Sequence, residues 1–520
     1  MNTFTVILAI SYAIANKILQ CSGLEDYLKS NNKTKTFSKS ILVVLVLIIM
    51  GFVVVLITIP FGIFKFFLSI YLKIVHKEDF GGFLNGIGAS FAMQNEQTYI
   101  ITVLIVDYDD DIEGFYKELK KIVEITVQDF DQLNSIVQKS YGYYYLLKNQ
   151  ITFDKILSRI TLNQQDNEKN ILSFDTILNY VDSIRSYDYK DQLFQVVLFN
   201  HPVWFSNKRN YAIFLKTNHC ILDGMGFLSV ITKHLSKPNK DVVVKKLDLV
   251  EKYKKLNIDY NKCYLTKNSF GFTTKNDLNE NYKQFSAYIM EDSPDLKEKI
   301  KFISQKLSVR FNQVVLAGLI YSISKILDKK NIKSGPFNIS ITASSDIKQI
   351  ENVMNGDSDS IKNVKNAFFV SQVTVMKCRN RSKREFLIET GREVEEIKQS
   401  VNPLLNMMFF NYLSSFMPSI LWRAFLMEQN RRTHIVLTNI LDHPTERIVC
   451  GRKMYAIFTI VGNTGNKCIF FMHGSYANRF GICMSGRYEF IKSRDDVQFI
   501  LHETRKFMED VFNELNQEKK

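Results

Sequence analysis

The sequence predicts an α/β protein in two halves, preceded by an N-terminal membrane segment. Three observations carry this. Strand-like and helix-like patterns alternate from about Asp79 to the C-terminus. A polar stretch rich in Lys, Asn and Asp, from about Ser236 to Asn281, interrupts that alternation. Near the N-terminus, Ile41 to Phe64 is a run of 24 residues without a charge. The expected organisation is a membrane region over 1–78, a first half over 79–240, a linker over 241–284 and a second half over 285–520.

The uncharged run would rise about 36 Å as a helix, enough to cross a hydrocarbon layer of about 30 Å. Pro60 and Gly62 suit a kink at its far end, and after Lys65 the apolar pattern resumes to Leu72. A second apolar segment, Phe4 to Ala15, is either a short spanning helix or a signal whose Ala13-Ile14-Ala15 resembles a cleavage site. Either reading leaves the bulk of the chain cytosolic. The loop between the segments carries Lys29, Lys33, Lys35 and Lys39, which argues against a lumenal loop.

In the first half, Thr98–Val106 is a strand pattern, and the acidic residues after it suit a solvated turn and helix start. The helix reads FYKELKKIVEIT. Leu193–Phe199 and Tyr211–Thr217 are β-branched and aromatic strands, and MGFLSVITKHL begins a helix. In the second half, YKQFSAYIM is a strand and SVRFNQVVLAGLIYSISKIL a long helix. AFFVSQVTVM, HIVLTNI, MYAIFTIV, CIFFMHGSYA and RFGICMS are strands. A last helix follows Ser493, whose hydroxyl and the acids after it suit a cap.

Composition narrows the function. The hydrophobic share of 46% in 520 residues allows two cores of ordinary size. The net charge of +14 is spread along the chain, and neither a zinc spacing, an RNP-like run nor a long basic arm accompanies it. Nucleic acid is therefore not an expected partner; an anionic lipid surface or a phosphorylated small molecule is. Seven cysteines, Cys21, Cys220, Cys263, Cys378, Cys450, Cys468 and Cys483, form no CxxC pair. That pattern suits a reducing compartment and predicts neither a disulfide framework nor a metal site.

The chemistry concentrates in Thr217–Phe227, TNHCILDGMGF. A strand delivers His219 to a loop, and Gly224 and Gly226 allow tight backbone before the next helix. A histidine at such a corner has a near-neutral pKa. It can take a proton from a hydroxyl as the oxygen attacks a carbonyl. Asp223 curls back under the loop, placed to hold the ring or to lock the loop through an arginine. Cys220 is a poor partner for His219, because neighbouring side chains on extended backbone point to opposite sides.

The HxxxDG spacing of His219, Asp223 and Gly224 resembles the active-site motif of thioester-dependent acyltransferases, which include chloramphenicol acetyltransferase. Wider matches resemble the wax ester synthase/diacylglycerol acyltransferase family in order along the chain. They are QLFQVVLF before the motif, VRFNQVVLAGLI with Asn312, Asn366 before a strand, VLTNI with Asn439, and GSYANRFGICMS. Three positions depart from that family's pattern. Asn218 stands where the first of two histidines is usual, Gln313 replaces an Asp, and Gln192 replaces a Pro.

The resemblance implies two chloramphenicol-acetyltransferase-like halves, each a mixed sheet flanked by helices, with a tunnel between them meeting at His219. It implies acyl-CoA as co-substrate and a fatty alcohol or diacylglycerol as acceptor, with no metal or redox cofactor. His219 would be the general base and Asp223 mainly architectural. Gly224 would support the loop, and Asn312 would support the site by a hydrogen bond unless it is simply a buried helix-start residue. An endoplasmic reticulum membrane with a cytosolic catalytic region is the expected setting. The alternatives are another acceptor, or a tethered relative that binds lipid or acyl-CoA without catalysis.

Overall fold

Runs of β-branched and aromatic residues build three sheets in the computed structural model of the chain. It describes residues 58–518 except 95–97, 163–170, 185–191, 239–283, 291–294, 333–335, 345, 356–359, 362–363, 365, 376–377, 379–380, 401, 409, 411–412, 424–432, 444, 463–467 and 489. The apolar segment Phe4–Ala15, most of the run Ile41–Phe64 and all of the linker over 241–284 except Gln284 lie outside the described residues.

The described part opens with a helix, α1 (Thr58–Asp79), long and apolar enough to cross a membrane. Strand β1 (Phe80–Phe83), helix α2 (Gly86–Ala92), strand β2 (Tyr99–Asp107) and helix α3 (Ile112–Asp129) follow. Asp111 caps α3, its side chain accepting from the Gly114 amide, so the acidic turn does the work expected of it. Strands β3 (Ile136–Ser140) and β4 (Tyr143–Leu147) pair with β1 as a small sheet in the order β1-β4-β3. Leu68 and Leu72 of α1 pack on it against Tyr143, Tyr145 and Leu147.

The rest of the first half supplies β5 (Leu157–Ile160), β6 (Leu172–Ser173), α4 (Phe174–Ser183), β7 (Phe194–Phe199), β8 (Val203–Phe205) and β9 (Lys208–Asn218). Helix α5 (Gly224–Val230) continues as one π-helical stretch to Leu235, and β10 (Lys237–Pro238) ends this part. The second half begins with β11 (Gln284–Met290), α6 (Asp295–Lys306), α7 (Phe311–Lys329), β12 (Phe337–Ser344), α8 (Ile347–Met354) and β13 (Phe368–Val375). It continues with α9 (Lys383–Gln399), α10 (Asn402–Met408), β14 (Ile435–His443), β15 (Arg447–Val449), β16 (Arg452–Val461), β17 (Ile469–Tyr476), β18 (Arg479–Arg487) and α11 (Arg494–Gln517). Ser493 caps α11 by accepting from the Asp496 amide.

Two larger sheets result, both mixed. The first runs β10-β15-β16-β2-β9-β7-β5, with β8 pairing β9 and β6 pairing β8; the second runs β11-β18-β17-β14-β12-β13. β2 and β9 are buried along nearly their whole length, so they read as continuous apolar runs rather than as alternation. α7 is buried almost all round and packs with α6, α9 and α11 over the second sheet.

One feature of the topology crosses the expected division at residue 285. β16 belongs to the second half of the chain, yet it pairs antiparallel with β2 in the first sheet, from Met454 opposite Val106 to Val461 opposite Ile100. Phe458 on that strand stacks on Tyr288 of β11 at 4.4 Å between ring centroids. The exchanged ribbon thus has one sheet as its hydrogen-bonding partner and the other as its packing partner.

Arg447 fixes the ribbon to the helix that follows the HxxxDG loop. It is 1% exposed, and its guanidinium donates to Ser236 Oγ at 2.6 Å, the Thr232 carbonyl at 3.0 Å and the Ser236 carbonyl at 2.5 Å. Those are groups at the end of the α5 helical stretch, where a cation is favoured. Arg447→Met leaves several buried acceptors without a donor, so it is expected to lower unfolding stability by about 3 kcal/mol. Chemical denaturation of the two proteins checks this; an unchanged midpoint would show the ribbon to be held by its strand pairing alone.

Candidate active site between the two sheets

β9 ends at Asn218, and His219 begins the turn that leads to α5. The His219 amide donates to the Thr98 carbonyl at 2.6 Å, which ties the turn to the start of β2. Asn218, at the position of departure, has a turn-building role. Its Oδ1 accepts from the Cys220 amide at 3.0 Å and from Thr98 Oγ1 at 3.4 Å.

From the other half, Asn366 Nδ2 donates to the His219 carbonyl at 2.6 Å. Asn366 is held in turn by Asn85, whose Nδ2 donates to the Asn366 carbonyl at 2.6 Å and whose Oδ1 caps α2 at the Gly88 amide. A Cβ on Gly88 would lie 2.4 Å from the Cys220 carbonyl, so only glycine lets α2 approach the turn this closely.

Asp223 is the N-cap of α5, with Oδ1 accepting from the Gly226 amide at 2.6 Å. Its Oδ2 accepts from the Ala367 amide at 2.8 Å, across the junction between halves. The expected arginine lock is therefore replaced: among the described residues the carboxylate is held by main-chain amides. A neutral amide suits this position because it pins a loop without adding a second buried charge. Burial raises the Asp223 carboxyl above the usual carboxylate range, against the pull of these amides.

The His219 ring is 9% exposed. Phe91 of α2 stacks on it at 3.9 Å with the planes 14° apart, and Phe368 of β13 leans on it at 5.8 Å. An apolar cavity lies between the two sheets, lined by Gly224 and Phe227 of α5, Tyr288 and Met290 of β11, Phe458 of β16 and Met472 of β17, among others. Gly224 of the motif reaches its wall. The His219 ring is not among the lining residues and is covered by Phe91, so the expected tunnel meeting at His219 does not appear among the described residues: the stacked phenylalanine closes the ring off from this cavity.

The other candidates separate clearly. Gln313 accepts from the Arg310 amide at 2.8 Å and so caps α7 in place of an aspartate. Gln192 is buried and donates to the carbonyls of Lys155 at 2.7 Å and Phe194 at 2.8 Å. Asn312 is exposed rather than buried, and its Oδ1 accepts from Asn439 Nδ2 at 3.3 Å. The two motif asparagines thus meet each other. β14, which carries Asn439, is separated from β13 by β12 in the order of the second sheet. That places the pair two strands, about 10 Å, from β13.

Cys220 is buried, and burial pushes its thiol well up, so the thiolate a nucleophile needs is not available. His473 of β17 is 1% exposed, and burial pushes its imidazole down to about 3, too weak a base for an alcohol. Lys216, two residues before Asn218, is 3% exposed and is pushed down to about 7 by burial.

Asn85, Phe91, Phe368 and Ala367 were not legible as site residues in the sequence. Asn85-Gly86-Ile87-Gly88 has the form of a cap followed by small residues, a signal for close helix approach. Phe91 carries no pattern that separates it from the other 39 phenylalanines among the chain's 40.

Two mixed sheets with helices, joined by an exchanged ribbon over a histidine corner, make an α/β fold like the two-domain fold of CoA-dependent acyltransferases. Residues 366–510 match the model of the WS/DGAT C-terminal domain, which covers the later part of the chain. The fold is similar to a wax ester synthase/diacylglycerol acyltransferase from Marinobacter aquaeolei VT8, at 12% identity and a TM-score of 0.53 over 83% of this chain and 99% of that one. It is also similar to a trichothecene 15-O-acetyltransferase from Fusarium sporotrichioides, at 10% identity and a TM-score of 0.55 over 83% of this chain and 95% of that one. A first condensation domain of the calcium-dependent antibiotic synthetase matches at 10% identity and a TM-score of 0.52, over 83% and 97% of the two chains. No curated protein matches the chain in sequence.

Proposed function

We propose that the protein is a membrane-bound O-acyltransferase that moves a fatty acyl group from acyl-CoA to a long-chain alcohol or diacylglycerol. The observation that carries the reading is the His219 turn, clamped from both halves by Asn366 and Asp223 beside an apolar cavity. His219 takes the proton of the acceptor hydroxyl as its oxygen attacks the thioester carbonyl. The carbon–sulfur bond breaks, and the thiol of CoA leaves with that proton. Asp223 holds the loop, Gly224 shapes the cavity wall, and Asn312 with Asn439 supports the second half at a distance. The chemistry calls for neither a metal nor a redox cofactor.

The apolar run ahead of α1 suits an enzyme whose acceptor and product both dissolve in bilayers, with the catalytic part on the cytosolic face of an endoplasmic reticulum membrane. Division into halves at the polar stretch 241–284 is kept in this reading. The covered His219 ring favours a second reading, a tethered relative that binds acyl-CoA or lipid without catalysis. Labelled acyl-CoA offered with a panel of acceptors separates them. Labelled wax ester or triacylglycerol is the expected result; label retained on the protein with no ester from any acceptor would establish the second reading instead.

A further inference from the structure

α1 has two apolar faces where a helix on a protein surface needs one. Leu68 and Leu72 mark the face packed on the small sheet. Directly opposite, at helical spacing, stand Ile59, Ile63, Phe66, Phe67, Ile70 and Ile74, from 42% to 71% exposed. That outer stripe contains no charge, and Lys73 stands at its edge.

Two segments distant in sequence extend this surface. Tyr141, at the tip of the β3–β4 turn, is 73% exposed, and its backbone has φ 45°. A left-handed conformation costs a tyrosine about 1–2 kcal/mol that glycine or asparagine would avoid. Its ring meets Phe64 of α1 edge-on at 6.1 Å. The turn after α10 brings Phe416, Ile420 and Leu421, exposed at 41%, 78% and 49%. The Ser419 amide donates to the Gly142 carbonyl at 2.7 Å, Tyr143 Oη donates to the Phe416 carbonyl at 2.9 Å, and Lys65 Nζ donates to the Ser415 carbonyl at 2.7 Å. Lys65 thereby spends its charge on the protein side and leaves the outer face apolar.

We propose that the outer face of α1, Tyr141 and the Phe416–Leu421 turn form one folded surface that seats in the headgroup–acyl boundary of a lipid bilayer. The occupant follows from where the chain leads. Ile41 to Ile57 is uncharged and immediately precedes Thr58 in sequence. An apolar run of that kind is suited to lipid, which makes a bilayer the partner expected for an apolar face on the helix that follows it. Aromatic residues among aliphatic ones suit that depth. The proposal deepens the reading of an acceptor drawn from the membrane, and rests on it for its purpose. The Gly86 amide at the start of α2 donates to Ser415 Oγ at 3.1 Å, and Trp422 Nε1 donates to Ser90 Oγ. The seated turn is therefore tied by two hydrogen bonds to the helix that carries Phe91 over His219.

The test uses the full chain in phosphatidylcholine vesicles, with lipids brominated at shallow acyl positions as quenchers. Ile420→Trp and Tyr141→Trp are each compared with the parent protein, whose two tryptophans are subtracted. Each added tryptophan is expected to shift its emission to the blue and lose half or more of it to brominated lipid. Tyr488→Trp, 47% exposed on β18's far turn, is expected to lose none. Unquenched emission at both 420 and 141 would overturn the surface. Ester formation in the same vesicles is read separately: quenching without ester sinks the acyltransfer reading alone, and ester without quenching sinks the surface alone.

Discussion

His219→Ala is expected to reduce ester formation by about 10²- to 10⁴-fold, the usual contribution of a positioned general base. Binding of acyl-CoA should stay within about twofold, because the ring is not among the residues that line the cavity. Two features make the variant informative. The turn is built by main-chain and asparagine contacts, through Thr98, Asn366 and Asn218, none of which involves the imidazole. Losing the ring therefore removes the base and its stacking on Phe91 while the backbone keeps its ties. Rates with saturating acyl-CoA and a dispersed long-chain alcohol check this. A variant with full activity would remove His219 from the chemistry.

The same corner explains why the histidine was legible and its surroundings were not. A strand ending in His219, with Asp223 and Gly224 after it, is a local pattern. So are the β-branched runs that became β2, β9 and β16. The partner of Asp223 is the amide of Ala367, 144 residues further on, and amides carry no side-chain signature. Asn366 stood out by its place before a strand, yet its hydrogen bond to the His219 carbonyl depends on how the halves dock. The pairing of β16 with β2 joins segments about 350 residues apart, and nothing in MYAIFTIV says which sheet it enters. Burial along both faces gives a strand the same apolar run in either sheet. The departures from the family pattern gain a physical meaning only in three dimensions. Gln313 caps α7 with its amide oxygen, and Asn218 accepts the Cys220 amide, so each substitute performs a hydrogen-bonding task at the position it occupies.

Asp223→Ala is expected to cost about 3–5 kcal/mol of stability and to lower kcat by 10-fold or more. The stability term follows from what is left behind. The Gly226 and Ala367 amides are both buried with the carboxylate as acceptor, and each loses it. The α5 cap is lost as well, which alone costs about 0.5–2 kcal/mol. The rate term follows from geometry. Ala367 neighbours Asn366, which holds the His219 carbonyl, so freeing one end of this clamp lets the imidazole move relative to the second half. A displacement of about 1 Å at a reacting group can cost 10²-fold. Because the carboxylate is held by main-chain amides and Asp223 is not among the residues lining the cavity, the loss should fall on kcat and leave KM for acyl-CoA nearly unchanged. Asp223→Asn keeps one acceptor oxygen and turns an NH₂ toward the other amide, so it should restore the α5 cap and part of the stability while leaving the junction to Ala367 broken. Melting temperatures and steady-state constants of both variants separate the two roles. If Asp223→Asn matched the parent in rate, the tie across the two halves would be dispensable and the cap alone would account for the carboxylate.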